Sequence, residues 1–180
     1  MKYLATLSLA LAFASSAFAQ DAGWLDDKGK PIPQSDARRS LNGFAGHVLI
    51  TPDADWRAKW NTPAATVPHF NEKTTPIKLG EQVFVLIFFA NPMLGADGKA
   101  NLTCDLDLTR PDGTVSLHKT DVPCWQGPLP GGPQNLYIAT PDISFKHDPG
   151  DMAGKWTIAV TLKDNLRKTV LPLKTVFVLD

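Results

Sequence analysis

The stretch NLTCDLDLTRPDGTVSLHKT, residues 101–120, decides the fold. In its first half Leu102, Cys104, Leu106 and Leu108 fall on one side of an extended chain, and Thr103, Asp105, Asp107 and Thr109 fall on the other. A period of two is the pattern of a half-buried β-strand, because successive side chains point to opposite faces. RPDG (110–113) places proline second and glycine fourth in a β-turn. TVSLHKT (114–120) then returns as the partner strand. With Pro111 and Asp112 as a two-residue turn, Leu108 faces Val115, Leu106 faces Leu117 and Cys104 faces Lys119.

The same signals recur on both sides of this hairpin. Strands are expected at GFAGHVLIT (43–51), within IKLGEQVFVLIFFANP (77–92), at NLYIAT (135–140) and DISFKH (142–147), and at GKWTIAVTLKDN (154–165) and KTVLPLKTVFVLD (168–180). The run VFVLIFFA (83–90) is apolar on both faces and must be covered on both. Fifteen prolines, thirteen glycines and sixteen Asp against two Glu (Glu72, Glu81) describe strands joined by many turns. The only helix expected is short, in TPDADWRAKWN (51–61), with Thr51 as N-cap and Pro52 at its first position. Seven to nine strands with no β–α rhythm point to two packed antiparallel sheets, an all-β sandwich.

The strand Gly154-Lys155-Trp156-Thr157-Ile158-Ala159-Val160, followed by Asp164-Asn165 and an apolar last strand, resembles the closing hairpin of bacterial immunoglobulin-like modules. The strand–PDG–strand unit at 101–120 is similar to hairpins in the same modules. The resemblance implies an immunoglobulin-like antiparallel β-sandwich, and it covers about half of the chain without bringing an activity with it. The antibody-type arrangement of a tryptophan between two cysteines is missing, since Trp125 follows the second cysteine.

The N-terminal MKYLATLSLALAFASSAFA (1–19) has a charged start, an apolar run and an Ala17-Phe18-Ala19 end, the pattern of a cleaved secretory signal peptide. The expected organisation is therefore a signal peptide (1–19), an extended or poorly ordered leader (20–42) and a single immunoglobulin-like domain (43–180). This predicts a periplasmic or secreted protein with no membrane insertion after cleavage. The 18 basic and 18 acidic residues balance. A chain without concentrated positive charge is not expected to bind nucleic acid.

In an oxidising compartment Cys104 and Cys124 are expected to form a disulfide. The register above leaves Cys124 five residues past Lys119, about 17 Å along an extended strand. Bonded Cα atoms stand only about 4.4–6.8 Å apart. The chain is thus expected to turn back after Asp121-Val122, so that the bond pins an irregular 121–133 loop carrying Trp125 against the sheet. A C-x-x-C redox motif is absent. His47, His69, His118 and His147 are too scattered for a metal motif, although ligation by residues distant in sequence stays open.

Neither a G-x-S-x-G, an S-x-x-K, a P-loop nor a G-x-G-x-x-G is present, and no cofactor or catalytic residue is expected. Trp56 and Trp60, four apart on one helix face, cover one end of the core or form an aromatic surface for a partner or a sugar ring. The functional expectation is a non-catalytic binding or adaptor protein for another envelope or extracellular protein, acting through loops or sheet edges. The alternative is a small-ligand binder for a carbohydrate or a metal ion, and an enzyme comes last. The candidate binding surface comprises Trp56, Trp60, His69 and Trp125.

Overall fold

In the computed structural model, which describes residues 24–25, 28–62 and 68–180, nine strands and one short helix follow one another along the chain. The segment 1–19, where a signal peptide is expected, lies outside the described residues. Alternation dictates the arrangement most clearly in β8 (Gly154–Asp164), where Trp156, Ile158, Val160 and Leu162 all point inward. It pairs on one side with β4 (Lys99–Thr109) and on the other with β9 (Thr169–Leu179), and β5 (Val115–Pro128) flanks β4. The second layer contains β1 (Arg38–Leu41), β2 (Phe44–Thr51) and β3 (Gln82–Ala90), in that order. Two short strands, β6 (Leu136–Ile138) and β7 (Ile143–Lys146), pair with successive parts of β3.

All pairings between the nine strands are antiparallel, and a single parallel bridge joins Ile77 to Leu179 among the described residues. The β5-β4-β8-β9 layer, facing one built on β2 and β3, is the strand order of an immunoglobulin-like sandwich. Between the layers lies the main core, with Phe44, Phe89, Trp156, Leu162 and Leu173 among its members. Gly46 allows the layers to meet closely, because a Cβ there would stand 3.0 Å from Leu162 and 3.1 Å from Leu173.

Three sequence expectations are corrected. The first sheet begins at Arg38, inside the stretch assigned to a leader, because Arg38–Leu41 pairs with Phe44–His47 around Asn42-Gly43, both at positive φ. The helix, α1 (Trp56–Trp60), starts four residues late, with Asp55 at its N-cap, while Thr51 still belongs to β2. Thr51 instead accepts the Asp53 backbone N–H, holding the turn that leads into the helix.

The third correction concerns the hairpin and the cysteines. Leu108 faces Leu117 and Leu106 faces Lys119, two residues beyond the expected register, and Cys104 faces Val122. The loop has three residues, not two, with Gly113 at φ +85° and Arg110 N–H donating to the Thr114 carbonyl. A first extra residue, Ser116, enters the ladder between Val115 opposite Thr109 and Leu117 opposite Leu108. A second extra residue enters where Asp121, at φ +52°, donates its N–H to the Asp105 carboxylate and leaves the ladder. A third enters at Cys124 itself, between Pro123 opposite Thr103 and Trp125 opposite Leu102. These bulges bring the two cysteines to a Cα separation of 5.8 Å, and the Cys104–Cys124 disulfide staples β4 to β5 within the sheet. Residues 121–128 are therefore strand, not loop. Pro123 and Pro128 are tolerated because β5 lies at the edge of its sheet.

Candidate functional site

The first sheet is apolar on its outer face as well as its inner one. Phe89 points to the main core, whereas Leu86 and Phe88 of the same strand point outward and are 2% and 4% exposed. What covers them is Trp56 and Trp60 of α1, Phe70 of the following segment, and Trp24. The two helical tryptophans therefore cap a second, smaller core on the far side of the sheet.

Asp53 and Asn71 hold this cover in place. Asp53 accepts hydrogen bonds from the Asn71 backbone (2.9 Å) and amide (2.8 Å), and pairs with Lys59 at 2.8 Å. Burial alone pushes the Asp53 carboxyl up, but the hydrogen bonds from Lys59 and Asn71 hold it down at about 2. Lys73 donates its backbone N–H to the Ile50 carbonyl and pairs with Glu81, tying the same segment to the sheet.

The cover leaves a groove with a cavity volume of about 480 Å³. Its floor follows one cross-strand row, in which Arg38 pairs with His47, His47 with Phe88, and Phe88 with Ile138. Trp60 and Phe70 stand on this floor, each with its ring centre within 5.9 Å of Phe88 and tilted only 29° from one another. His47 stacks on Phe88 at 5.9 Å and meets the Trp24 ring edge at 5.8 Å. Burial, with help from the Arg38 charge, lowers the His47 pKa to about 4, so the imidazole is neutral at physiological pH. Arg38, His69 and Glu72 supply the polar lining. Among the described residues, none of these three side chains has a hydrogen bond or ion pair.

A second hollow, of about 360 Å³, continues the outer face. It shares Leu136 with the first, is walled by Trp24, Leu25, Ala45 and Ala90, and carries Asn91 and Gln134 as polar groups.

Of the residues singled out from sequence, Trp60 and His69 line the groove together. Trp56 is buried beneath the same cover and does not line it. Trp125 lies on the opposite side of the first sheet, packed on Phe89 and Tyr137 at 5.6 and 5.5 Å, with its indole N–H donated to the Gly127 carbonyl. The other two histidines are elsewhere: His118 contacts Asp107 at 2.5 Å on the outer face of the second sheet, and His147 is buried against the Ile77 carbonyl. Among the described residues no group of three or more His, Cys, Asp or Glu side chains could hold a metal ion. Sequence reasoning missed Arg38, His47 and Phe70. The available signal was the two-sided apolar run of β3, which demanded a cover and therefore a site for one.

No protein-family model and no curated protein matches this chain. Among solved structures it is similar, at a TM-score of 0.42 and 10% identity, to a family 123 glycoside hydrolase from Clostridium perfringens studied for glycolipid glycan hydrolysis. The similarity covers 75% of this chain but only 27% of that one, and no activity is argued from it.

Proposed function

We propose that this chain is a non-catalytic binding protein of the periplasm or cell exterior, and that its ligand occupies the outer-face groove. The observation that carries this reading is the combination of an aromatic floor and walls with Arg38, His69 and Glu72 left unpaired among the described residues. Small-molecule sites are mostly apolar clefts of ~300–1,000 Å³ with a few convergent polar groups, and this groove fits that description. The buried disulfide agrees with an oxidising compartment. Among the described residues the groove has a single carboxylate, Glu72. Hydrolysis of a glycosidic bond ordinarily needs two, and this favours binding without turnover.

The edges of the sheets favour the groove over strand addition. β5 carries three bulges, Pro123, Pro128 and Lys119, the devices that protect an edge from pairing. β9 is covered along parts of its edge, where Lys174 N–H donates to the Asp36 carbonyl and Ile77 N–H to the Val178 carbonyl. A protein partner has one specific observation in its support. Val115 and Leu117 are exposed beside an apolar hollow of about 310 Å³ that also involves Leu106, Leu108, Ile143 and Phe145.

Hydrogen exchange, with and without a whole soluble extract of the source organism's cell envelope, separates the two. Protection at residues 47–49 and 68–72 supports the groove. Protection confined to 115–121 refutes it in favour of a protein-type surface.

A further inference from the structure

We propose that the ligand of the groove is an uncharged oligosaccharide held across both hollows of the outer face, an inference that rests on the groove being the binding site. Four features of the groove converge on this chemistry. The first is the shape of its apolar surface. A pyranose ring presents a flat face of C–H groups, which needs a flat aromatic partner. Trp60 and Phe70 are near-parallel, rest on buried Phe88, and are themselves only partly buried.

The second is charge. Arg38 and Glu72 line one cavity and have no partner among the described residues, so the polar lining holds one positive and one negative group. A site for an anion or a cation would carry charge of one sign. A guanidinium and a carboxylate in one cavity suit hydroxyl groups, which donate to a carboxylate and accept from a guanidinium.

The third is the state of His47. Burial keeps its imidazole neutral, with one ring nitrogen donating and the other accepting, and no hydrogen bond of this chain is recorded to either among the described residues. That is again the pairing a hydroxyl satisfies, and a charged imidazolium would not.

The fourth is length. The second hollow shares Leu136 with the first, is walled by Trp24, whose ring edge meets His47 of the first, and presents the amides of Asn91 and Gln134. Asn91 spends its amide nitrogen on the Gly43 carbonyl, which leaves its oxygen to accept. Two adjoining hollows, each with an aromatic wall and neutral or balanced polar groups, match successive rings of a chain better than a single compact molecule.

Calorimetric titration of the full chain tests this. The neutral probes are cellotetraose, maltotetraose and chitotetraose; a galacturonate tetramer is the acidic probe, and glycine betaine and phenylalanine are the zwitterionic ones. At least one neutral tetrasaccharide binds saturably. Trp60→Ala lowers the affinity at least tenfold, Trp60→Phe retains most of it, and Arg38→Ala and Glu72→Gln each weaken it several-fold. Trp60→Phe, with thermal melting of every variant, separates loss of the stacking face from loss of the fold. Binding only of the acidic or zwitterionic probes, sensitive to Trp60→Ala, overturns the assignment to an uncharged oligosaccharide and leaves the groove standing. Saccharide binding that Trp60→Ala does not change overturns the groove itself. If no tetrasaccharide binds, the saccharide assignment falls.

Discussion

Protonating His47 should weaken the fold, and the size of the effect follows from its position. The imidazole is half-buried between Phe88 and Trp24 and faces Arg38, and its pKa falls from 6.5 to about 4. The unfolded chain therefore takes up a proton at higher pH than the folded one. Stability from this group is full above pH 6.5, declines as pH falls toward 4, and changes no further below that. Between pH 7 and pH 5 the expected loss is about 2 kcal/mol, at 1.36 kcal/mol for each pKa unit of difference. Other groups titrate in the same window, so the loss must be read as a difference. Urea unfolding of the natural chain and of His47→Gln at the two pH values supplies it, since glutamine has a polar side chain that does not titrate. The natural chain should lose about 2 kcal/mol more than the variant over this interval. Equal losses in the two proteins would refute the burial argument for His47 and with it the neutral imidazole in the groove.

Three further outcomes test the packing. Replacing both Cys104 and Cys124 by Ala, which opens a cross-link of sequence separation 20, should cost about 3 kcal/mol in denaturant unfolding by loop-closure entropy. Asp164→Ala should cost about 3–5 kcal/mol in the same assay. That carboxylate, 1% exposed, accepts from the Met93, Leu166 and Arg167 backbones and pairs with Arg167, so its loss strands several donors. Thr169→Val should be neutral or stabilising by up to about 1 kcal/mol, since its buried hydroxyl has no hydrogen-bond partner among the described residues.

Much of the sandwich was legible because alternation is a local property. The inward set of β8, the apolar β3 and the turn at Leu79-Gly80 can all be read from neighbouring residues. Register was not, because it depends on where extra residues enter. Nothing in the letters of Asp121 announces that its N–H will leave the ladder for Asp105, yet that substitution moves Cys124 within reach of Cys104. The groove was half legible. Trp60 and His69 stood out as an aromatic and a titratable group near a long connector. Arg38, His47 and Phe88 come from three different strands and meet only because their register puts them in one row. The place of Trp125 follows from the same register: once β5 continues past Asp121, its half-buried ring packs on Phe89 and Tyr137, on the other side of the first sheet from the groove.

The central claim, that ligand is taken on the outer aromatic face of the first sheet, can be read from the indole N–H resonances of a ¹⁵N-labelled sample titrated with the neutral tetrasaccharides. Trp125 and Trp156 donate their indole N–H groups to backbone carbonyls away from the groove, at Gly127 and Met152, whereas Trp60 lines the first hollow and Trp24 the second. The account predicts that Trp60 and Trp24 shift with a common saturation curve while Trp125 and Trp156 stay fixed. A shift of Trp125 with Trp60 unmoved would contradict it.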